Sequence, residues 1–171
     1  AVIDGFARQG DMAKSQQWFK KMQAAGLKPD VVTYSTMVGG LAKQGDMARS
    51  QQWFEKMQSG GVTPDLVAYN AMVDGFARRG DMVACLQWFE EMQAAGMKPD
   101  AVTYTALVHV FAQQGDMARS QQWMEEMQAA GVRPNRNAYT AIVNGFAQLG
   151  DMAESQLWFK RMKAAGENPD I

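Results

Sequence analysis

Two residue types on which many enzyme and metal sites depend are almost missing from this chain. Its 171 residues include one cysteine and one histidine. A single cysteine excludes an internal disulfide framework and suits a reducing compartment or the interior of an organelle. One cysteine and one histidine cannot supply the four soft ligands of a structural zinc site. We therefore expect neither a metal nor a cofactor.

An excess of charge of one sign is also missing, because 17 lysines and arginines face 18 aspartates and glutamates. Nucleic-acid-binding modules usually carry a basic excess, so the balance argues mildly against that function. It does not exclude it, since the distribution of charge matters more than the net value. The chain also lacks a signal-peptide pattern and any apolar run long enough to span a bilayer, which predicts no membrane partner.

What the chain does have is a period of 35 residues. The tripeptide Gly-Asp-Met recurs with this step, beginning at Gly10, Gly45, Gly80, Gly115 and Gly150. A proline followed by Asp or Asn keeps the same step, at Pro29, Pro64, Pro99, Pro134 and Pro169. A fixed period of this length predicts stacked supersecondary units, none of which buries its apolar face alone. Function should then lie on a surface that is built once per repeat.

Each unit has the pattern of two helices joined by a short loop, as residues 31–65 illustrate. Apolar residues with helical spacing form two stripes, at Tyr34, Met37, Val38 and Leu41 and then at Met47, Trp53, Phe54 and Met57. Gly45 ends the first helix, and Asp46 is placed to cap the second. In the last unit, Asp151 and Glu154 predict a capping box. The chain is therefore predicted to be all-α.

One tryptophan per unit lies in the second stripe, at Trp18, Trp53, Trp88, Trp123 and Trp158. Such a ladder could stack on nucleic-acid bases. An indole that shares a stripe with Met and Phe is, however, typical of packing between hairpins, and we favour packing. The methionines of the Gly-Asp-Met motif receive the same interpretation.

The two ends of the array are predicted to be prone to self-association, because terminal repeats normally need a polar capping helix. The residues that we expect to be poorly covered are Trp158, Phe159 and Met162 at one end and Val2 and Phe6 at the other. This exposure predicts end-to-end self-association.

Catalysis within the chain is not expected. A Cys–His nucleophilic pair would need Cys85 and His109 to meet. Cys85, however, holds a slot that serine occupies in the other units, and His109 holds a slot occupied elsewhere by Asp, Gly or Asn. Both fit tolerated structural variation. No phosphate loop, dinucleotide fingerprint or paired-carboxylate motif stands out from the repeat background.

A 35-residue hairpin that ends in Gly-x-x-Pro-Asp and opens with Val-Val-Thr-Tyr resembles the pentatricopeptide repeat family. Residues 31–34 and 101–104 and the Pro-Asp ends carry this likeness. The related tetratricopeptide repeat has a different period, and the drift that it would produce over five copies is absent. The resemblance implies a right-handed α-solenoid. Its parts would be a repeat over 1–30 without its first five residues and complete repeats over 31–65, 66–100, 101–135 and 136–170.

The family binds single-stranded RNA with one base per repeat, and the resemblance implies the same partner here. By resemblance, the fifth and last residues of each repeat read the base, which selects Asp30, Ser35, Asp65, Asn70, Asp100, Thr105, Asn135, Thr140 and Asp170. The second residue stacks on bases, which selects Val32, Val67, Val102 and, as a departure from valine, Asn137. A basic slot on the first helix implies phosphate contacts at Arg8, Lys43 and Arg78, and glutamine takes this slot in the last two repeats.

The family's code pairs Asn–Asp with uracil, Thr–Asn with adenine and Thr–Asp with guanine, and Ser–Asp resembles a weaker guanine reader. The implied RNA core is 5′-(U/G)GUAG-3′, with the first base poorly determined. Without the resemblance, the Pro-Asp ends would be loop and capping chemistry. Ser35 and Thr105 would then be helix N-caps.

The sequence alone leaves three functions open. The family implies RNA binding in organellar RNA processing, stability, splicing, editing or translation, with a parent protein in the chloroplast or mitochondrion. Because the chain begins and ends inside the pattern, we expect it to be a piece of that longer protein. A protein-binding scaffold is the first alternative, and the polar row of Ser, Asn and Thr argues against it. The second alternative is the recognition arm of an RNA-processing enzyme whose catalytic domain lies outside this chain.

Overall fold

The computed structural model describes residues 2–168, and this part of the chain consists of α-helices without a strand. The helices form five consecutive pairs, in which a first helix is followed by an antiparallel second helix. Their bounds are α1 Val2–Arg8, α2 Met12–Ala24, α3 Val31–Lys43, α4 Met47–Ser59, α5 Leu66–Arg78, α6 Met82–Ala94, α7 Ala101–Gln113, α8 Met117–Ala129, α9 Arg136–Gln148 and α10 Met152–Ala164. The predicted all-α solenoid is confirmed.

The helices begin and end where the sequence places Gly, Pro and Asp. Asp46 accepts a hydrogen bond from the backbone N–H of Arg49 and caps α4, as predicted. Gly45, just before it, has a φ of +77°, in the left-handed region that glycine adopts without a steric penalty. Helices α2, α6, α8 and α10 begin in the same way, at Asp11, Asp81, Asp116 and Asp151.

The capping box predicted at Asp151 and Glu154 does not form completely. The Asp151 carboxylate accepts from the Glu154 backbone N–H at 3.1 Å, which is one half of the motif. The other half needs the Asp151 backbone N–H, which already donates to the carbonyl of Phe146 at 3.0 Å. A reciprocal box forms instead at Asp100 and Thr103, at the start of α7.

The five first helices stack directly on one another, whereas the second helices do not bring their backbones together in residues 2–168. Small residues explain the close approach of the first helices. A Cβ atom added to Gly75 would lie 3.1 Å from the Cβ of Ala42 on the preceding first helix. Large aromatic side chains separate the second helices, as Phe19 and Trp53 do. This difference in size curves the array, with the first helices on its inner face.

The tryptophans pack between hairpins, and the packing interpretation is confirmed for the interior of the array. The Trp53 ring lies 4.6 Å from the Phe19 ring of the preceding hairpin, and the Trp88 ring lies 4.7 Å from Phe54. Both pairs are edge-to-face, a favourable aromatic geometry. Trp53 and Trp88 are buried, but Trp18 is 40% exposed because no hairpin precedes it in the described chain.

The prediction that Trp158 and Met162 are exposed at the C-terminal end is wrong. Trp53, Trp88 and Trp123 each contact a ring of the preceding hairpin, and Trp158 shares a buried cluster with Met124 of the preceding hairpin and with Tyr139 of its own. Trp158 is therefore only 6% exposed, and Met162 is buried as well. Phe159 is half-buried. Because the tryptophans pack toward the preceding hairpin, the uncovered one is Trp18 at the N-terminal end. Val2 is also exposed there, and Phe6 is half-buried.

The Gly-Asp-Met methionines pack against a glycine on the next first helix. Met12, Met47 and Met117 are buried, and a Cβ on the opposing Gly40, Gly75 or Gly145 would collide with their sulfur atoms. Val110 holds the equivalent slot opposite Met82, which is accordingly only half-buried. Met152 is exposed and departs from the packing interpretation, because no first helix follows it among the described residues.

The tryptophan slot offers a matched test of this packing. Replacing Trp88 with alanine should lower the free energy of unfolding by about 3–5 kcal/mol, since a buried indole and its aromatic contacts are lost. Replacing the exposed Trp18 should cost about 1 kcal/mol or less. Urea unfolding followed by circular dichroism measures both changes. Equal losses at the two positions would contradict the conclusion that the tryptophans pack against the preceding hairpin.

End-to-end self-association stays a prediction, and Trp18 is now the residue that carries it. Trp18, Val2 and Leu27 form an exposed apolar patch at the N-terminal end. We expect Trp18→Lys to lower the sedimentation coefficient of this chain at high concentration in the absence of RNA. A wild-type chain that sediments as a monomer under these conditions would contradict the prediction.

Candidate nucleic-acid interface

A groove with a volume of about 640 Å³ runs over the inner face, along α1, α3 and α5 and up to the start of α7. Most of the site residues that the sequence predicts in this part of the chain line it, namely Arg8, Val32, Ser35, Lys43, Asp65, Val67, Asn70 and Val102. The first helices therefore gather the predicted polar, apolar and basic residues along one surface.

The fifth and last residues of the predicted repeats meet through side-chain hydrogen bonds across 30 positions of sequence. The Ser35 hydroxyl donates to Asp65 at 2.8 Å, and the Asn70 amide donates to Asp100 at 3.0 Å. At the third pair, the Thr105 hydroxyl lies 3.3 Å from the amide oxygen of Asn135.

The two ends of this series are less complete. Thr140 is exposed on α9 at the position equivalent to Thr105, and its predicted partner Asp170 lies outside the described residues. Asp30 lies at the start of α3, where it accepts from the hydroxyl and the backbone N–H of Thr33.

The last residue of each pair also caps the first helix of the following hairpin. Asp65 accepts from the backbone N–H of Ala68 through the oxygen that accepts from Ser35. Asp100 and Asn135 cap α7 and α9 in the same way. Capping chemistry is thus present at the Pro-Asp ends, together with the contact to the fifth residue.

The alternative interpretation of Ser35 and Thr105 as N-caps is wrong. The caps of their helices are Asp30 and Asp100, and the two hydroxyl residues are the fifth residues of α3 and α7. Thr105 uses its hydroxyl there to contact the carbonyl of Ala101 at 2.6 Å.

These contacts determine which polar groups are left for a ligand. An ionised aspartate only accepts, so Ser35 and Asn70 must be the donors in their pairs. At the third pair, the oxygen of Asn135 accepts from the backbone N–H of Ala138 at 3.0 Å. The capping contact therefore directs the NH₂ group of Asn135 away from the helix, as a donor that neither aspartate can provide.

Apolar side chains flank these polar pairs at regular intervals. Val32, Val67 and Val102 are 63%, 61% and 51% exposed, although valine is usually buried. Asn137, also exposed, replaces valine at the fourth such position. An aromatic base can cover an exposed valine on each side of a polar pair, so the surface alternates between apolar contact and hydrogen bonding.

The basic slot is partly neutralised, which the sequence interpretation missed. Arg8 forms an ion pair with Asp4 at 3.1 Å, and Arg78 forms one with Asp74 at 2.9 Å. Both acidic residues line the groove and lie four positions before their arginine. The spacing of opposite charges at i and i+4 on one helix is the sequence signal that could have found these pairs. Lys43 has Gly39 at the equivalent position.

Cys85 and its serine counterparts have a structural role. The Cys85 thiol is buried and contacts the carbonyl of Val73, as the Ser50 hydroxyl contacts the carbonyl of Val38. Burial raises the pKa of the Cys85 thiol to about 12, so the nucleophilic thiolate is scarce at neutral pH. His109, by contrast, is an exposed residue of α7.

Over 2–168, no group of three or more His, Cys, Asp or Glu side chains is arranged to hold a metal ion. No helix in this range has the length and apolar character needed to cross a membrane.

The chain belongs to the pentatricopeptide repeat family. A model described as the PPR repeat family matches residues 1–43, 36–78, 64–113 and 100–148, and a model described as the PPR repeat matches residues 138–167. Together they cover nearly the whole sequence, so the resemblance inferred from the motifs is confirmed. A search of curated protein sequences finds no match.

Solved structures of pentatricopeptide repeat proteins are similar to this chain. The crystal structure of PPR10 from maize is 25% identical with a TM-score of 0.82, over 98% of this chain and 24% of that chain. PPR10 in complex with an 18-nt psaJ RNA element gives 25% identity and a TM-score of 0.86, over 98% of this chain and 25% of that chain. This chain therefore spans about a quarter of the PPR10 chains.

A more distant likeness concerns the fold alone. The PPR domain of Arabidopsis thaliana protein-only RNase P 1, in complex with tRNA, is 14% identical with a TM-score of 0.78. The match covers 99% of this chain and 89% of that domain.

The capping contact at Asp30 gives a pH prediction. Hydrogen bonds from the Thr33 hydroxyl and then from its backbone N–H lower the pKa of Asp30 below the ordinary 3.8. The stability that this depressed pKa contributes is present above the unfolded-state pKa and is lost as pH falls through the folded-state value. Thr33→Ala should raise the Asp30 pKa, and Thr33→Ser should keep it low. A carboxyl ¹³C NMR titration measures the change, and an unaltered pKa in Thr33→Ala would contradict the assigned cause.

Proposed function

We propose that this chain binds single-stranded RNA along the inner groove and reads one base per repeat. The observation that carries the proposal is the recurrence of one arrangement, a polar pair in side-chain contact next to an exposed valine, at Ser35–Asp65, Asn70–Asp100 and Thr105–Asn135. Exposed bases of single strands are recognised through stacking and edge hydrogen bonds, and both are available here.

In this proposal, the fifth residue of each repeat contacts the base edge and the last residue orients it. Asp65 and Asp100 accept from Ser35 and Asn70, so the aspartates fix the direction of those side chains. Asn135 has a free NH₂ group and takes part in base contact itself. Different pairs thus present different donors and acceptors, which is the physical basis for selectivity. The implied core remains 5′-(U/G)GUAG-3′, with Asp30, Thr140 and Asp170 assigned to its outer bases.

The valines would contact the faces of neighbouring bases, and the basic slot would contact phosphates. Val32, Val67 and Val102 are exposed once per repeat, whereas Asn137 offers less apolar surface for the last base. Arg8, Lys43 and Arg78 lie beside the same groove, two of them in ion pairs. The likeness to PPR10 bound to an 18-nt psaJ RNA element supports RNA as the ligand class.

Binding should be weak and only moderately sensitive to salt. Each phosphate contact adds roughly 0.7 to the slope of log K against log salt concentration, so two or three contacts predict a shallow slope. Four or five bases, at about 1–3 kcal/mol each, must also offset the ordering of a flexible strand.

We expect removal of the Asp74 charge to strengthen RNA binding. Asp74→Asn frees Arg78 for a phosphate, so affinity at low salt should rise about two- to fivefold and the salt dependence should become steeper. Fluorescence titration of a labelled RNA that contains GGUAG measures both effects.

The matched control for this experiment is Asp46→Asn. It removes the same charge from an ion pair with Arg49 that does not line the groove, and Asn retains the N-cap of α4. An equal gain in affinity for both variants would show that the gain comes from the change in net charge. It would contradict the proposed contact between Arg78 and a phosphate.

A change of base preference tests the one-repeat, one-base reading. Thr105→Asn together with Asn135→Asp should convert the adenine reader of residues 101–135 into a uracil reader. Asp preserves the cap of α9, so the fold should lose little stability. The single-base preference is expected to be about 1–3 kcal/mol. Wild type and the double variant are titrated against four RNAs that differ only at the fourth base of the core.

The result is interpreted only for folded protein, as judged by circular dichroism and a thermal melt. A folded double variant whose order of base preference equals that of the wild type would disprove the proposed reading at this repeat.

The wider role follows from the same proposal. We propose that the parent protein acts in organellar RNA processing, stability, splicing or translation, in a chloroplast or mitochondrion, and that this segment supplies recognition and not catalysis. The alternatives are a protein-binding scaffold and the recognition arm of an RNA-processing enzyme. The polar pairs along the groove favour RNA over an apolar peptide surface.

A further inference from the structure

One buried hydroxyl connects the polar pair of one repeat to the repeat that follows. The Thr103 side chain on α7 is fully buried. Its hydroxyl donates to the amide oxygen of Asn70 and accepts from the backbone N–H of Asp100 at 3.1 Å. The Asn70 amide nitrogen in turn donates to the Asp100 carboxylate. Asn70, Asp100 and Thr103 therefore form a closed hydrogen-bonded triad at the edge of the groove.

This triad occurs at only one of the three junctions whose polar pairs the structure describes. Alanine takes the place of Thr103 at the other two, as Ala68 beside Ser35–Asp65 and Ala138 beside Thr105–Asn135. Both alanines are buried, so the slot accepts either residue. Thr33 has the same position in α3, where its hydroxyl donates to the cap residue Asp30 at 2.6 Å.

The triad restricts the Asn70 side chain to one orientation. An asparagine amide can exchange the places of its oxygen and nitrogen by rotating half a turn, and its contacts decide between them. The Asp100 carboxylate accepts only, so it selects the nitrogen of Asn70. With the nitrogen turned to Asp100, the amide oxygen faces the Thr103 hydroxyl, which donates to it and so holds the same orientation. One N–H of Asn70 is then left to point into the groove.

We infer that Thr103 is a positioning residue that sets the base selectivity of the preceding repeat. It does so by holding the Asn70 amide in the orientation that presents its free N–H to the base. The inference rests on the proposed RNA-binding function and adds to it a third residue, located in the next repeat. The ligand that benefits is a pyrimidine with a carbonyl acceptor at the third base of the core, which is uracil in the implied sequence.

The test compares Thr103→Ala with Thr103→Ser and with the control Thr33→Ala. Each protein is titrated against four RNAs that differ only at the third base of 5′-GGUAG-3′. Thr103→Ala should lower the preference for uracil at this base by about fivefold, the equivalent of one neutral hydrogen bond. It should leave the preference at the fourth base unchanged. Thr103→Ser, which keeps the hydroxyl, and Thr33→Ala should both retain the wild-type preference.

A second readout needs no RNA. In the free protein, the two side-chain amide protons of Asn70 should have distinct, well-dispersed NMR shifts that move toward random-coil values in Thr103→Ala and are retained in Thr103→Ser. Thermal melts accompany each variant. Alanine at this slot should be tolerated, because Ala68 and Ala138 are buried in equivalent positions.

The outcomes separate the inference from the function on which it rests. A wild-type chain without any preference at the third base would contradict the proposed function and the inference together. A wild-type preference for uracil that persists in folded Thr103→Ala, with unmoved Asn70 resonances, would overturn the inference alone.

Transfer of the triad to another junction gives an independent check. In the variant with Thr105→Asn and Asn135→Asp, the new polar pair has Ala138 beside it. Adding Ala138→Thr should sharpen the preference for uracil at the fourth base by a similar factor. No gain in a folded triple variant would contradict the role assigned to the hydroxyl.

Discussion

Each first helix from α3 to α9 begins at a side-chain oxygen that belongs to the end of the preceding repeat. This oxygen, on Asp30, Asp65, Asp100 or Asn135, accepts the backbone N–H groups that open the helix. At Asp65 and Asp100 it also accepts from the fifth residue of the preceding repeat, and at Asn135 it lies 3.3 Å from the Thr105 hydroxyl. The same side-chain oxygen thus caps a helix and positions the fifth residue on the surface of the groove. A change of the last residue must satisfy both demands, which Asp and Asn can do and an apolar residue cannot.

The shape of the array complements this chemistry. Glycine and alanine let the first helices approach closely, while tryptophan and phenylalanine hold the second helices apart. The surface made by the first helices is therefore continuous, and successive polar pairs lie next to one another along the groove. Because the large buried core residues of both helices, such as Tyr34 and Trp53, do not line the groove, residues on the groove can vary from repeat to repeat without loss of the core.

Much of the fold was predictable from the sequence, because its signals are local and repeated. Gly45 and Asp46 mark a helix end and a helix start, and the spacing of Trp53 and Phe54 marks a packing face. The burial of Trp158 was not predicted, since apolar spacing identifies the buried face of a helix but not the neighbour toward which a side chain leans. The incomplete capping box at Asp151 was not predicted for a similar reason. The Asp151 backbone N–H donates to the carbonyl of Phe146, and the sequence does not reveal this contact.

The candidate site was predictable to a lesser degree. Its residues came from the resemblance to a family, whereas the contact between Asn70 and Asp100 joins positions 30 apart that only the fold brings together. The ion pair of Asp74 with Arg78 could have been found, because its spacing is local. The Thr103 triad could not, since threonine at this slot resembles an ordinary helix-starting residue until the position of Asn70 is known.

The most direct test of the account is an NMR titration of the isotope-labelled chain with a single-stranded RNA that contains GGUAG. The account predicts shift changes at the methyl groups of Val32, Val67 and Val102 and at the side-chain amides of Asn70 and Asn135. Side-chain amides on the second helices, such as Gln51 and Gln122, should stay unchanged. Changes concentrated on the second helices, or a groove that does not respond to RNA, would contradict it.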